Sequence, residues 1–273
     1  MNIDTIVTDM DDTLFNEEGV ISNYTLNILR ECLSRGLRVI PASGRTHASM
    51  LPFMKQLNTG MPYIGGNGTE LINGDHTILE TTQFEAPLAC EICDFLTQNG
   101  CYVQVYRDDC FYYAAECDPA KKYKQSSGMK GVAVGDLSAF LDFPVPKVLS
   151  VNHPDEIMRL HPIANRLFEG RAAFTQSKPY FLEAMPYGAS KGTALFRLAE
   201  LMQLDPNKTV VFGDSLNDMS MLAFTKNSVA MGNARDEVKQ STQFVCGPNT
   251  KDGLAHFIQE HILSERSNVY DQH

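Results

Sequence analysis

Residues 8–14 read TDMDDTL, which places three carboxylates, Asp9, Asp11 and Asp12, within four positions. They follow an apolar run, Ile3, Ile6 and Val7, that reads as a buried strand over residues 3–8. The end of such a strand lies at the edge of a hydrophobic core. Two unit charges about 4 Å apart there repel by about 4 kcal/mol at an effective dielectric near 20. A solvated turn does not need this crowding. The stretch is therefore the place to look for chemistry, and the rest of the chain is read outward from it.

On its C-terminal side the chain alternates helix and strand. Leu26, Ile28, Leu29 and Leu33 give residues 23–35 an apolar helical face that Gly36 closes, and LRVIPAS is the next strand. A helix is expected over residues 46–58, with Pro52 an irregularity, and PYIGG is a third strand. The last third repeats the pattern. SKGTALFRLAELMQL is an amphipathic helix capped by Ser190, KTVVFGD a buried strand, NSVAMG and QFVCG further strands, and DGLAHFIQEHIL a terminal helix. Strands alternating with helices at this spacing predict a parallel sheet.

The middle differs. Residues 83–186 read as a helix, a hairpin at CYVQVYRDDCFYYA, a Gly/Ser/Lys-rich loop around residues 125–131, a strand at PKVLSV, a helix over 155–167, and strands at AAFTQS and YFLEAM. The fold expected is α/β: a Rossmann-like parallel-sheet core from residues 1–82 and 187–273, with an α+β module, residues 83–186, inserted into it. The tail SERSNVYDQH is polar and expected to fray.

Composition narrows the function. With 23 basic and 33 acidic side chains the net charge is −10, which disfavours nonspecific binding to nucleic acid or to anionic membrane. No apolar run approaches the roughly 18 residues of a membrane span. The N-terminal segment is neither basic nor long and apolar, so no signal peptide and a cytoplasmic location are expected. The oligomeric state stays open. Five of seven cysteines fall between Cys90 and Cys117, but the C-x-x-C at Cys90 and Cys93 sits on an expected helix without a second pair. It reads as half-buried thiols rather than zinc ligands.

In an open parallel sheet, ligands bind beyond the carboxyl ends of the strands. Four strand ends carry suitable residues: Asp9 to Thr13, Ser43-Gly44-Arg45, Asn67, and Gly213 to Asp218, with Lys191 opening the helix before the last of these. The series D-x-D-x-T, ASGR, SKG and GDSLNDMSML resembles the haloacid dehalogenase superfamily. Its order resembles the Cof-type phosphatases, whose large (C2-type, IIB-like) cap is inserted between the second and third motifs. NGTEL, FLEAMPYGASKGTAL, AMGNA and DGLAHFI are similar to that subfamily as well.

The resemblance implies a Mg²⁺-dependent phosphatase acting on small phosphorylated metabolites. Asp9 would be the nucleophile and Asp11 the general acid and base, with Asp9, Asp214 and the Asp11 backbone carbonyl binding the metal. Lys191 would offset the negative charge. Ser43, Gly44, Arg45, Asn67 and Asn217 would face the phosphoryl group or the substrate, while Thr13, Asn217 and Asp218 would support the metal and Lys191. Asp12 stands where many relatives carry glycine and reads as a turn residue. His47 and His153 are expected to be structural. Two other readings are a phosphomutase of the phosphomannomutase type and a noncatalytic metabolite-binding protein. A dehalogenase would have no use for an acid at position 11.

Overall fold

The structure, a computed structural model, describes residues 1–264, so the expectation for the tail falls on residues outside the description beyond Ser264. The chain begins with β1 (Thr5–Asp9), α1 (Asn23–Ser34), β2 (Arg38–Ala42), α2 (His47–Leu57) and β3 (Tyr63–Gly65). Ser22 caps α1, its hydroxyl accepting from the Thr25 N–H. α2 continues through Pro52. β4 (Glu70–Ile72) and β5 (Ile78–Thr81) then extend the sheet antiparallel, a hairpin the alternating pattern did not signal.

The middle of the chain contains α3 (Ala86–Gln98), β6 (Tyr102–Arg107), β7 (Cys110–Tyr113), α4 (Asp118–Ser127) and β8 (Lys130–Ala133). A one-turn α5 (Leu137–Phe140), β9 (Val148–Val151), α6 (Pro154–Leu167), β10 (Ala172–Thr175) and β11 (Phe181–Pro186) complete it. Residues 125–131, expected as a loop, divide instead between the last turn of α4, its left-handed cap Gly128 at φ 69°, and the start of β8. α4 buries only Ala120. It has almost no apolar stripe to betray it. Cys90 and Cys93 lie on α3, where the Cys90 thiol donates to the carbonyls of Ser138 and Leu141 and Cys93 is buried.

The chain then returns through α7 (Lys191–Met202), β12 (Thr209–Gly213), α8 (Met219–Leu222), β13 (Asn227–Ala230), α9 (Asp236–Ser241), β14 (Phe244–Val245) and α10 (Gly253–Ile258). Two sheets result. One has eight strands in the order β14-β13-β12-β1-β2-β3-β4-β5, parallel from β14 to β3. The other has six, β10-β11-β9-β6-β7-β8, antiparallel except for β7 with β8. Each packs its own apolar cluster: Ile6, Val7, Val39, Ile40, Val211 and Phe212 in the first, Ile92, Leu96, Val105, Ile157, Leu160 and Leu182 in the second. The central strand β1 is flanked by β2 and β12, and from it the chain fills the sheet first in one direction, through β2 and β3, and later in the other, through β12 to β14. The carboxyl end of β1 is therefore the switch point at which such sheets form their crevice.

Candidate active site

Asp9 is the last residue of β1 and is only 4 % exposed. Immediately after it the chain turns: the N–H groups of Thr13, Leu14 and Phe15 converge on the Met10 carbonyl. This turn requires Asp12 to adopt φ +60°, in the left-handed region that aspartate tolerates better than most residues. The turn reading of Asp12 holds. Its side chain does more, forming a 2.9 Å ion pair with Lys178 from the loop before β11.

Lys191, at the start of α7, is fully buried and its Nζ bridges two carboxylates. It donates in a short bond to Asp9 Oδ1 and, at 2.6 Å, to Asp218 Oδ1. The other oxygen of Asp218 accepts from the N–H groups of Asp214, at 2.9 Å, and Ser215, at 3.1 Å. Gly213 permits this, because a Cβ there would lie 2.6 Å from the Asp218 side chain. Both oxygens of Asp218 are thus engaged in holding Lys191 and the loop after β12. The Thr13 hydroxyl donates to Asp214 Oδ1 at 3.1 Å, joining the first and last of the four strand ends.

Carboxylate oxygens of Asp9, Asp214 and Asp218 approach one another within 4.8 Å. Burial, and then the charge of Asp218, push the Asp9 carboxyl well above its ordinary range. The same two causes push Asp214 up to about 7. Crowded buried carboxylates that resist ionisation are what a cation would relieve, and an all-oxygen donor set suits a hard divalent ion such as Mg²⁺. The residues present fit the metal. Asp218 holds the Lys191 ammonium and two backbone N–H groups and does not face the cavity. Among the described residues Asp214 accepts only from the hydroxyls of Thr13 and Ser215, and it does face the cavity. Asp9 and Asp214 are therefore the carboxylates better placed to hold the metal.

Asp11 does not join that cluster through its side chain. Its two oxygens take a fork from Arg45, with Nε to Oδ2 and Nη2 to Oδ1 both at 2.8 Å. Arg45 also stacks over Phe15 and Phe53 and donates to the Ser126 carbonyl at the end of α4. It therefore touches both the catalytic edge and the inserted module. The Ser43 hydroxyl is fully buried and accepts from the Arg45 N–H, so it shapes the loop from behind. Asn67, at φ +58°, donates to Glu183 Oε2 at 3.1 Å and accepts from Asn217 Nδ2 at 2.9 Å. Asn217 thus contacts Asn67 rather than Lys191. Its Oδ1 is buried without a protein partner.

Above these residues is a cavity of about 610 Å³. Asp9, Asp11, Asp12, Gly44, Arg45, Asp214 and Asn217 line it from below; Ser43, Asn67, Lys191, Thr13 and Asp218 stand behind the wall. The inserted module supplies the opposite wall, including Tyr123, Lys147, Lys178 and Glu183, none of which the sequence pattern singled out. Lys147 and Glu183 form a buried ion pair at 2.7 Å, and Lys147 also donates to the Gly44 carbonyl at 2.6 Å. A continuous polar chain therefore runs Asn217–Asn67–Glu183–Lys147–Gly44, through both modules. His47 donates to or accepts from the Tyr63 hydroxyl, and His153 caps α6; both lie apart from the cavity.

A model of the haloacid dehalogenase-like hydrolases matches residues 6–258. The chain belongs to this family. A 5-amino-6-(5-phospho-D-ribitylamino)uracil phosphatase, YwtE, of Bacillus subtilis (strain 168) is 27 % identical, across 93 % of this chain and 96 % of its own. An HMP-PP phosphatase of Serratia proteamaculans (strain 568) is 28 % identical, across 94 % of each. A crystal structure of a haloacid dehalogenase-like hydrolase from Bacteroides thetaiotaomicron superposes with a TM-score of 0.83 at 27 % identity, covering 94 % of this chain and 98 % of that one. The chain is accordingly a phosphatase of the haloacid dehalogenase superfamily, of the Cof type, with that superfamily's α/β fold. No helix among the described residues is long and apolar enough to cross a membrane.

Proposed function

We propose that the protein is a Mg²⁺-dependent phosphatase that hydrolyses small phosphorylated metabolites, sugar phosphates or phosphorylated cofactors, through an aspartyl-phosphate on Asp9. The observation that carries the reading is the position of Asp9: a buried carboxylate at the end of the central strand, paired with Lys191, beside Asp214 and open to the cavity. Relatives named for phosphorylated small molecules support the substrate class.

In the first step an Asp9 oxygen attacks phosphorus in line with the ester bond. The bond from phosphorus to the leaving oxygen breaks, and Asp11 gives that oxygen a proton. In the second step Asp11 takes a proton from a water that attacks the same phosphorus, releasing inorganic phosphate and restoring the Asp9 carboxylate. Lys191 holds Asp9 in place and offsets the charge that two anions bring together. Asp9 and Asp214, with the Asp11 backbone carbonyl, would hold Mg²⁺, which would supply further neutralisation of the phosphoryl oxygens. Residues 83–186 act as a cap that excludes water and reads the leaving group.

The test is release of inorganic phosphate from a panel of phosphorylated metabolites and p-nitrophenyl phosphate, with Mg²⁺ and with excess chelator. Metal-dependent phosphate release is expected. Transfer of the phosphoryl group back to a sugar without free phosphate would establish a mutase instead, and no turnover of any ester would establish a binding protein.

A further inference from the structure

Four cap residues form a directional relay toward the cavity. The Tyr102 hydroxyl donates to Gln104 Oε1 at 2.7 Å, Gln104 Nε2 donates to the Tyr106 hydroxyl at 2.6 Å, and Tyr106 donates to the Tyr123 hydroxyl at 2.7 Å. A phenol carries one proton. Tyr106 has committed its proton to Tyr123, so Tyr123 receives rather than gives in that bond. Its own proton goes to no acceptor among the described residues, and the residue lines the cavity. Gln104 and Tyr106 are essentially fully buried, which fixes the far end of the relay within the module's core.

The surroundings of Tyr123 are polar and of mixed character. Lys147 spends two of its three protons on Gly44 and Glu183, while Glu183 accepts at Oε2 from Lys147 and Asn67 and at Oε1 from the Ser177 hydroxyl. Lys147, Gly44, Glu183 and Ser177 all line the same cavity. A hydrocarbon leaving group would strip water from the Tyr123 hydroxyl and return nothing, a desolvation penalty that a hydroxyl group avoids. A hydroxyl oxygen accepts, which matches a wall presenting the Tyr123 phenol proton beside the remaining ammonium proton of Lys147.

Resting on the phosphatase reading, we propose that Tyr123 is a specificity-determining residue of the cap: its hydroxyl donates to a hydroxyl oxygen of the leaving group. The substrates favoured are therefore phosphomonoesters of polyhydroxylated alcohols. Discrimination follows from the relay, since a site built to hydrogen-bond a hydroxyl rejects an analogue that lacks it.

The experiment compares wild type with Tyr123→Phe on glucose 6-phosphate, its monodeoxy analogues and p-nitrophenyl phosphate, in Mg²⁺. The quantity read is the ratio of kcat/KM for the sugar ester to that for the aryl ester. The expected result is a fall in this ratio of roughly tenfold in Tyr123→Phe, the loss of one net hydrogen bond. One deoxy analogue should show a similar fall with wild type and no further fall with the variant, the mark of a shared contact. An unchanged ratio, or deoxy penalties that add fully to the variant's loss, would overturn the assignment of Tyr123 while leaving the phosphatase reading intact. Hydrolysis of neither ester class by wild type would overturn both.

Discussion

Arg45 grips Asp11 through two 2.8 Å hydrogen bonds, one from Nε and one from Nη2. Burial pushes the Asp11 carboxyl up, but the hydrogen bonds and charge of Arg45 outweigh it and hold the group below its ordinary range. Asp11 is therefore a charged carboxylate in this state. To protonate a leaving oxygen it must release the Arg45 fork, take up a proton from solvent and turn to the substrate. Through Nη1 the same guanidinium also donates to the Ser126 carbonyl of the inserted module, so one side chain links Asp11 to that module.

A general acid matters most when the departing oxygen is a poor leaving group. Asp11→Asn should lower kcat/KM far more for an alkyl phosphate than for p-nitrophenyl phosphate, by a further factor on the order of 10². kcat/KM is the right quantity because it ends at the first irreversible step. Equal losses on both esters would make Asp11 a structural or metal-positioning residue.

Asp9→Asn should abolish turnover without weakening the fold. The carboxylate it removes is buried beside Asp218 and Asp214, which repel it, while Lys191 retains its 2.6 Å bond to Asp218. In metal-free buffer the thermal midpoint should therefore equal or exceed that of wild type. A midpoint several degrees lower would mean that the Lys191 pairing outweighs the repulsion.

Lys191→Met should have the opposite effect on stability. It leaves Asp9 and Asp218 buried without their shared cation, and breaking a buried pair from one side costs about 3–5 kcal/mol. Urea unfolding should show a loss of that order together with loss of activity. A variant as stable as wild type would show that the two carboxylates shed their charge at little cost.

The Lys147–Glu183 pair, whose side chains are 3 % and 2 % exposed, lies within the inserted module and ties it to Gly44 and Asn67 of the core. Lys147→Met and Glu183→Leu should each destabilise by about 3 kcal/mol or more, since each strands the partner's charge. The double variant should be clearly less destabilised than the sum of the two. Additive losses would mean that the two residues act independently.

Part of the site was legible in the sequence because Asp9 and Asp214 sit at the ends of apolar strands, where a polar residue is conspicuous. Lys191 opens the amphipathic helix that leads to the second of these strands, and the parallel sheet follows from the alternation around them. The cap wall announces nothing. Lys147 falls within PKVLSV, a strand to which the pattern attaches no role, yet it is buried against Glu183, 36 residues away, and Gly44, 103 residues away. Tyr123 lies on α4, whose DPAKKYKQSS is too polar to show a helical stripe. The β4–β5 hairpin was likewise hidden, β5 being wholly exposed and lacking an alternating pattern. What the sequence did not reveal rests on contacts between residues far apart in the chain, or on segments whose pattern carries no period.

The central claim is that phosphoryl transfer passes through Asp9. Asp11→Asn lacks the base for the water step, so with Mg²⁺ and p-nitrophenyl phosphate the covalent intermediate should accumulate. Acid quench, digestion and mass spectrometry should find one phosphoryl group, labile to hydroxylamine, on the peptide carrying Asp9, and none on Asp9→Asn. Continued turnover with no such adduct, or with the adduct on another residue, would contradict the account.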